Sequence, residues 1–162
     1  MTARRITTGL LTDPSRELEF EFDGRRLNAL AGDTVASALL ANGVRLVGRS
    51  FKYHRPRGIV TAGPEEPCAL IDVLGASGAL PNRRATTVCV TAGLRVRSQN
   101  RWPSLGLDLL AINGLFAPLF SAGFYYKTFM RPAWAWERLF EPAIRRAAGL
   151  GKLGDAPDAA PK

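Results

Sequence analysis

Between Glu17 and Phe22 the sequence ELEFEF alternates acidic and apolar residues, and Asp23-Gly24 follows at once. A period of two describes a strand with one buried and one wet face. Asp-Gly is the pair that suits a two-residue type I′ turn, in which both residues take positive φ. Together they predict a β-hairpin with Phe20 opposite Leu27, Leu18 opposite Ala29, and Glu21 meeting Arg26 on the wet face. Residues 1–14 ahead of it read as a flexible arm.

The next residues add a helix. Asp33 is placed as N-cap of TVASALLANG, with Val35, Ala38, Leu39 and Asn42 at helical spacing and Gly43 as the stop. A short apolar piece, VRLVG, follows. Further strands are expected over Ala69–Val73 and Thr87–Val96, with turns at Gly75–Gly78 and Pro81-Asn82. Hairpin, helix and later strands predict an α+β, β-grasp (ferredoxin-like or ubiquitin-like) domain over residues 15–97, a mixed sheet with one packed helix.

Between the helix and the later strands lies RSFKYHRPRG, Arg49 to Gly58. It holds Arg49, Lys52, Arg55 and Arg57, the lone histidine His54, and the aromatics Phe51 and Tyr53. Pro56 and Gly58 mark it as a loop. No acid occurs between Asp33 and Glu65, nor between Asp72 and Asp108, and the chain carries a net charge of +8. Such a balance favours an anionic partner: nucleic acid, a nucleotide cofactor or an acidic protein face. The bland reading is a solvated basic loop.

Aromatic residues then change regime. Ten of the fourteen fall between Trp102 and Phe140: Trp102, Phe116, Phe120, Phe124, Tyr125, Tyr126, Phe129, Trp134, Trp136 and Phe140. A small sheet has little interior left to hide them, so residues 98–150 read as a partly helical docking arm. Leu109–Tyr126 is an uncharged run of 18 residues, but Asn113, Gly114, Pro118 and Gly123 argue against a membrane span. Aromatics lying apart from most of the basic runs also fit a nucleic-acid stacking platform poorly. Residues 151–162 read as linker or tail. Gly149, Gly151 and Gly154 spell G-x-G-x-x-G, but after a helix and with no following acid, so phosphate cradling is rejected.

Cys68 and Cys89 lack metal-site spacing and read as small buried hydrophobes in a reduced, cytoplasmic protein. The amino terminus has no apolar h-region, so no secretory signal is expected. No nucleophile–base pair, carboxylate pair or metal constellation stands out, and no catalytic residue is assigned. His54 reads as hydrogen-bonded or solvated.

The blocks AGDTVASALLANGVRLVGRSFKYHRPRGIVTAGPEEPCALIDV, PNRRAT, QNRWPSL, GFYYKTFM and EPAIRRAAGLG resemble the amino-terminal region of alpha subunits of heterotetrameric sarcosine oxidases. Relatives of this region are similar to plant-type [2Fe–2S] ferredoxins. Laid on their pattern, the four cluster-ligand positions become Thr61, Glu66, Ala69 and Thr86, none of which is a thiolate. Cys68 is one place off and Cys89 three residues past the fourth slot. The resemblance thus implies a domain with a degenerate cluster site and no cofactor of its own. It also implies an assembled enzyme that demethylates sarcosine to glycine with FAD, FMN, NAD and tetrahydrofolate. Its partners would be the remaining alpha-subunit domains and the other subunits, so that the present chain reads as a fragment, truncated product or split subunit. Within such an assembly Arg49, Lys52, His54, Arg55 and Arg57 are expected to face a flavin or nucleotide phosphate, or an acidic patch, with Phe51 and Tyr53 pinning the loop. The rival readings are a [2Fe–2S] electron-transfer domain and a basic nucleic-acid-binding module.

Overall fold

The computed structural model describes residues 11–76, 78–115 and 132–148. The expected hairpin is present: β1 (Asp13–Phe22) pairs antiparallel with β2 (Arg25–Ala31) in the register Phe20–Leu27, Leu18–Ala29, Glu21–Arg26. Asp23 and Gly24 take φ of 50° and 81°, the pair of positive values that a type I′ turn requires. Strand β1 begins at Asp13, so Asp13 and Pro14 belong to the sheet rather than to a preceding arm.

Helix α1 (Val35–Ala41) starts one residue later than the sequence suggests. Thr34 is the N-cap and forms a capping box with Ser37, while the Asp33 carboxylate accepts from the Leu30 amide and the Ser37 hydroxyl. Two orphan amides of the first turn find acceptors elsewhere: Val35 N donates to Val88 O and Ala36 N to Ala85 O. This explains why the expected strand over Thr87–Val96 is absent for most of its length. Residues 85–90 serve the helix end, and β7 runs only over Arg95–Ser98.

The strands β5 (Leu70–Gly75) and β6 (Gly78–Arg84) complete a five-stranded sheet of order β2-β1-β7-β5-β6. Only β1 and β7 run parallel, through Glu21–Arg95 and Phe22–Val96. Pro81-Asn82, expected as a turn, lies inside β6. There it forms a bulge opposite Asp72, with Asn82 at φ 57°. Proline is tolerated because β6 is an edge strand and Pro81 sits at the bulge, outside the paired register. Phe20, Phe22, Leu27 and Ala29 of the hairpin, Val35, Ala38 and Leu39 of α1, and Ile71 and Val96 of the sheet form one buried core. This is the α+β, β-grasp architecture.

Past β7 the chain stays tied to the sheet by side chains. The Asp23 carboxylate takes the Ser98 amide and the Arg101 guanidinium, and Asp108 is buried. A 3₁₀ turn spans Leu109–Gly114. Residues Ala133–Ala135 and Trp136–Phe140 are helical and lead into α2 (Glu141–Ala148). Among the described residues no helix is long and apolar enough to cross a membrane.

Candidate functional site

Two clusters of functional candidates emerge. In the first, Thr61, Glu66, Ala69 and Thr86, the residues expected to fall on the cluster-ligand pattern, come together on the 60–69 loop and the segment after β6. Glu66 is fully buried. Its Oε2 accepts from Val60 N (2.9 Å), Thr61 N (2.6 Å) and Thr61 Oγ1 (3.2 Å). Its Oε1 accepts from Cys68 N (2.8 Å) and Ala69 N (3.1 Å). Burial alone pushes this carboxyl up, but the backbone donors of Thr61, Cys68, Val60 and Ala69 outweigh it and lower the pKa to about 2. Ala69 fills space with a buried methyl, and the Thr86 hydroxyl donates to Gly63 O at 2.7 Å. Neither cysteine is the buried hydrophobe expected. Cys89 is exposed, and half-buried Cys68 offers its sulfur to Arg57 Nη1 at 3.0 Å.

The second cluster is the basic stretch, which is a hairpin rather than an open loop. Strand β3 (Gly48–Arg49) pairs with β4 (Pro56–Arg57), and the tip turns through Ser50–Arg55. Gly58 lets the chain leave close to Arg45, since a Cβ there would sit 2.7 Å from the Arg45 carbonyl oxygen. The five polar residues separate into two sets. Arg49 and His54 turn inward, contrary to the outward placement expected of the whole stretch. Arg49 donates through Nε and Nη2 to Leu105 O and through Nη1 to His54 O, and its Nε lies 3.5 Å from Asp108 Oδ2. His54, buried and at φ 53°, places Nδ1 2.7 Å from the same oxygen.

Asp108 itself is pushed up by burial and more strongly down by the Trp102 amide, His54 and the Leu110 amide, so its carboxyl lies below the usual range. An ionised carboxylate only accepts, so His54 Nδ1 carries the proton of this bond. The acid that meets Arg49 and His54 therefore comes from 54 positions downstream of the histidine. Arg55 and Arg57 remain exposed. Arg55 and Lys52 both lie against the Tyr53 ring, 4.9 Å and 5.0 Å from its centroid. Phe51 is 43% exposed and Tyr53 half-buried, whereas His54 and Arg49 anchor the hairpin through Asp108 and Leu105.

Of the residues assigned to docking, Trp102 and Trp134 are exposed, while Trp136 and Phe140 are half-buried. Phe116, Phe120, Phe124, Tyr125, Tyr126 and Phe129 lie outside the described residues. Leu107, Leu109, Ile112 and Leu115, beside Trp102 in sequence, are also exposed. In the second acid-free run Arg95, Arg97 and Arg101 pair with Glu21, Asp72 and Asp23. Among the described residues no three His, Cys, Asp or Glu side chains are grouped to hold a metal ion.

Comparison with known proteins adds three findings. The 2Fe-2S iron-sulfur cluster binding domain family matches residues 15–101. Over 152 residues, 94% of its length, the chain is 60% identical to sarcosine oxidase subunit alpha of Rhizobium meliloti (strain 1021), of which it covers 15%. It is 50% identical over 91 residues (54% of this chain, 9% of the relative) to sarcosine oxidase subunit alpha of Corynebacterium sp. (strain U-96). The chain thus spans about one seventh of the length of the first of these relatives.

Proposed function

We infer that this chain, which belongs to the 2Fe-2S iron-sulfur cluster binding domain family, is a cluster-less member serving as a non-catalytic assembly module of a sarcosine oxidase alpha subunit. The observation that carries this reading is the chemistry at the four ligand positions. A [2Fe–2S] cluster of the plant type is held by four cysteine thiolates. Here the positions hold two hydroxyls, a methyl and a carboxylate already saturated with amide donors. Iron in such clusters requires soft anionic sulfur, so these residues do not fit the group and no electron-transfer step is assigned to the chain.

The catalytic work of such an oxidase, on sarcosine and with FAD, FMN, NAD and tetrahydrofolate, would fall to the remaining alpha-subunit domains and the other subunits. This chain would contribute surfaces. One is the cationic face of the basic hairpin, Lys52 and Arg55 at its tip and Arg57 on β4, set toward a cofactor phosphate or an acidic patch. The other is the exposed apolar segment from Trp102 to Leu115, with the aromatics beyond it. Family membership alone favours the rival electron-transfer reading, but the ligand chemistry opposes it. The pairing of Arg95, Arg97 and Arg101 with acids of the same sheet weakens a nucleic-acid reading.

The test is assembly. A complete alpha subunit lacking residues 15–115, co-expressed with its partner subunits, is expected to give little or no intact complex. Normal yield of active, flavin-loaded complex would overturn the reading. So would stoichiometric iron and sulfide, with visible absorption bands, in the chain after anaerobic reconstitution.

A further inference from the structure

We propose that Glu66 replaces the cluster as the anion around which the 60–69 loop closes, making the fold of this domain independent of iron. The inference rests on the cluster-less reading and specifies what fills the space instead. A loop that wraps a cluster directs backbone amides inward, because hydrogen bonds to the cluster sulfurs help set its properties. Removing the cluster leaves those amides buried without an acceptor, which is costly. Four of them, from Val60, Thr61, Cys68 and Ala69, still converge here, joined by the Thr61 hydroxyl. Successive inward amides form a concavity suited to an anion.

Glutamate at the second ligand position supplies that anion from within the chain. Its two oxygens offer about four lone-pair sites. Three backbone amides lie at 2.9 Å or less, the Ala69 amide at 3.1 Å and the hydroxyl at 3.2 Å. The other former ligand positions take complementary parts. Thr61 adds a side-chain donor, buried Ala69 fills space, and Thr86 latches Gly63 from across the site. The Glu66 backbone is held as well, its amide donating to Gly63 O and its carbonyl accepting from Arg84 Nε. No buried side-chain nitrogen or oxygen among the described residues lacks a partner. The Glu66 carboxylate gives each of these five donors an acceptor from within the chain.

The test is amide hydrogen exchange on the full chain in a buffer containing an iron chelator. The amides of Thr61, Cys68 and Ala69 are expected to be protected in the wild type. In Glu66→Gln, which turns a donor toward donors, they should exchange at least about tenfold faster, while the amides of β1 and β2 keep their protection. Thr61→Val, which removes one hydroxyl only, should give a smaller change in the same direction. A second variant covers the case in which Glu66→Gln does not fold. With Thr61→Cys, Glu66→Cys, Ala69→Cys and Thr86→Cys together, the carboxylate is gone and thiolates are present, so folding should now require iron and be reversed by the chelator. Unchanged exchange in Glu66→Gln, or a four-cysteine variant equally folded with and without iron, would overturn the proposal. Stoichiometric iron in the wild type would sink the cluster-less reading as well, whereas an iron-free wild type with unchanged Glu66→Gln exchange sinks this inference alone.

Discussion

His54 and Asp108 meet 2.7 Å apart, Nδ1 to Oδ2, with both side chains buried and 54 positions of sequence between them. The same Asp108 oxygen lies 3.5 Å from Arg49 Nε, and the other oxygen takes the Trp102 amide. One carboxylate thus ties the basic hairpin to the segment that follows β7.

Asp108→Asn should therefore destabilise the chain far more than a surface change. Removing one partner of a buried ion pair costs about 3–5 kcal/mol, because the remaining charge is left without compensation. His54→Ala removes one hydrogen bond to a charged group but leaves Asp108 its Arg49 and Trp102 contacts, and should cost less, about 1.5–3 kcal/mol. Urea unfolding of the two variants checks the order, and equal losses would contradict it.

Acid should loosen the domain in a defined window. Glu66 is lowered from 4.5 to about 2, so its contribution is fully present above pH 4.5 and is lost as pH falls through the interval down to about 2. Asp108, also lowered, acts with the same sign. Thermal midpoints measured from pH 6 downward should hold level and then fall below about pH 4.5. In Glu66→Gln the acid-dependent fall should be much shallower, starting from a lower plateau.

The cations of the hairpin should separate by role. Arg55→Ala and Arg57→Ala are expected to leave the isolated chain folded but to weaken flavin retention or subunit assembly in a complete oxidase. A charge-assisted contact contributes about 1.5–3 kcal/mol, or roughly tenfold or more in affinity. Arg49→Ala should instead lower the stability of the chain itself, because its guanidinium bridges His54 O, Leu105 O and Asp108. Assembly and cofactor content, read beside a urea curve for each variant, distinguish the two classes.

Truncation should reveal where the folded unit ends. Cutting after Arg97 removes Ser98, Arg101, Leu105 and Asp108, so the Asp23 carboxylate loses its Ser98 and Arg101 donors and Arg49 keeps only its bond to His54 O of those it makes here. A chain ending at Leu115 keeps all of these and should remain cooperative and monomeric, whereas one ending at Arg97 should unfold at a markedly lower urea concentration. Comparable stability for both would show that residues 98–115 add nothing to the domain.

The parts legible in the sequence were those encoded locally. Asp23-Gly24 and the alternation on either side of it determine the hairpin register without reference to the rest of the chain. The strand expected at Thr87–Val96 failed because the start of that stretch serves the helix end, the Val88 carbonyl accepting from Val35 and the Val90 amide donating to Asp33 O. Pro81-Asn82 looked like a turn because a bulge in an edge strand uses the same residues. The correspondence of Thr61, Glu66, Ala69 and Thr86 to a cluster-ligand pattern was proposed only through likeness to a family, and nothing local told that Glu66 would be buried beneath amide donors. Asp108 was hidden by distance, although two long acid-free runs, each ending at an acid, carried a hint that far-off carboxylates must balance them.

The parallel pairing of β1 with β7 also constrains how the chain is made. Until Arg95–Ser98 have left the ribosome, the inner edge of β1 has no strand beside it, and Phe22 cannot meet Val96. Synthesis at about 5–20 residues per second keeps that edge waiting for several seconds or more. During that interval the nascent hairpin exposes an unpaired strand edge to any neighbouring chain. The period of greatest exposure thus falls before the last strand is translated, so slow codons placed between Gly24 and Arg95 would lengthen it.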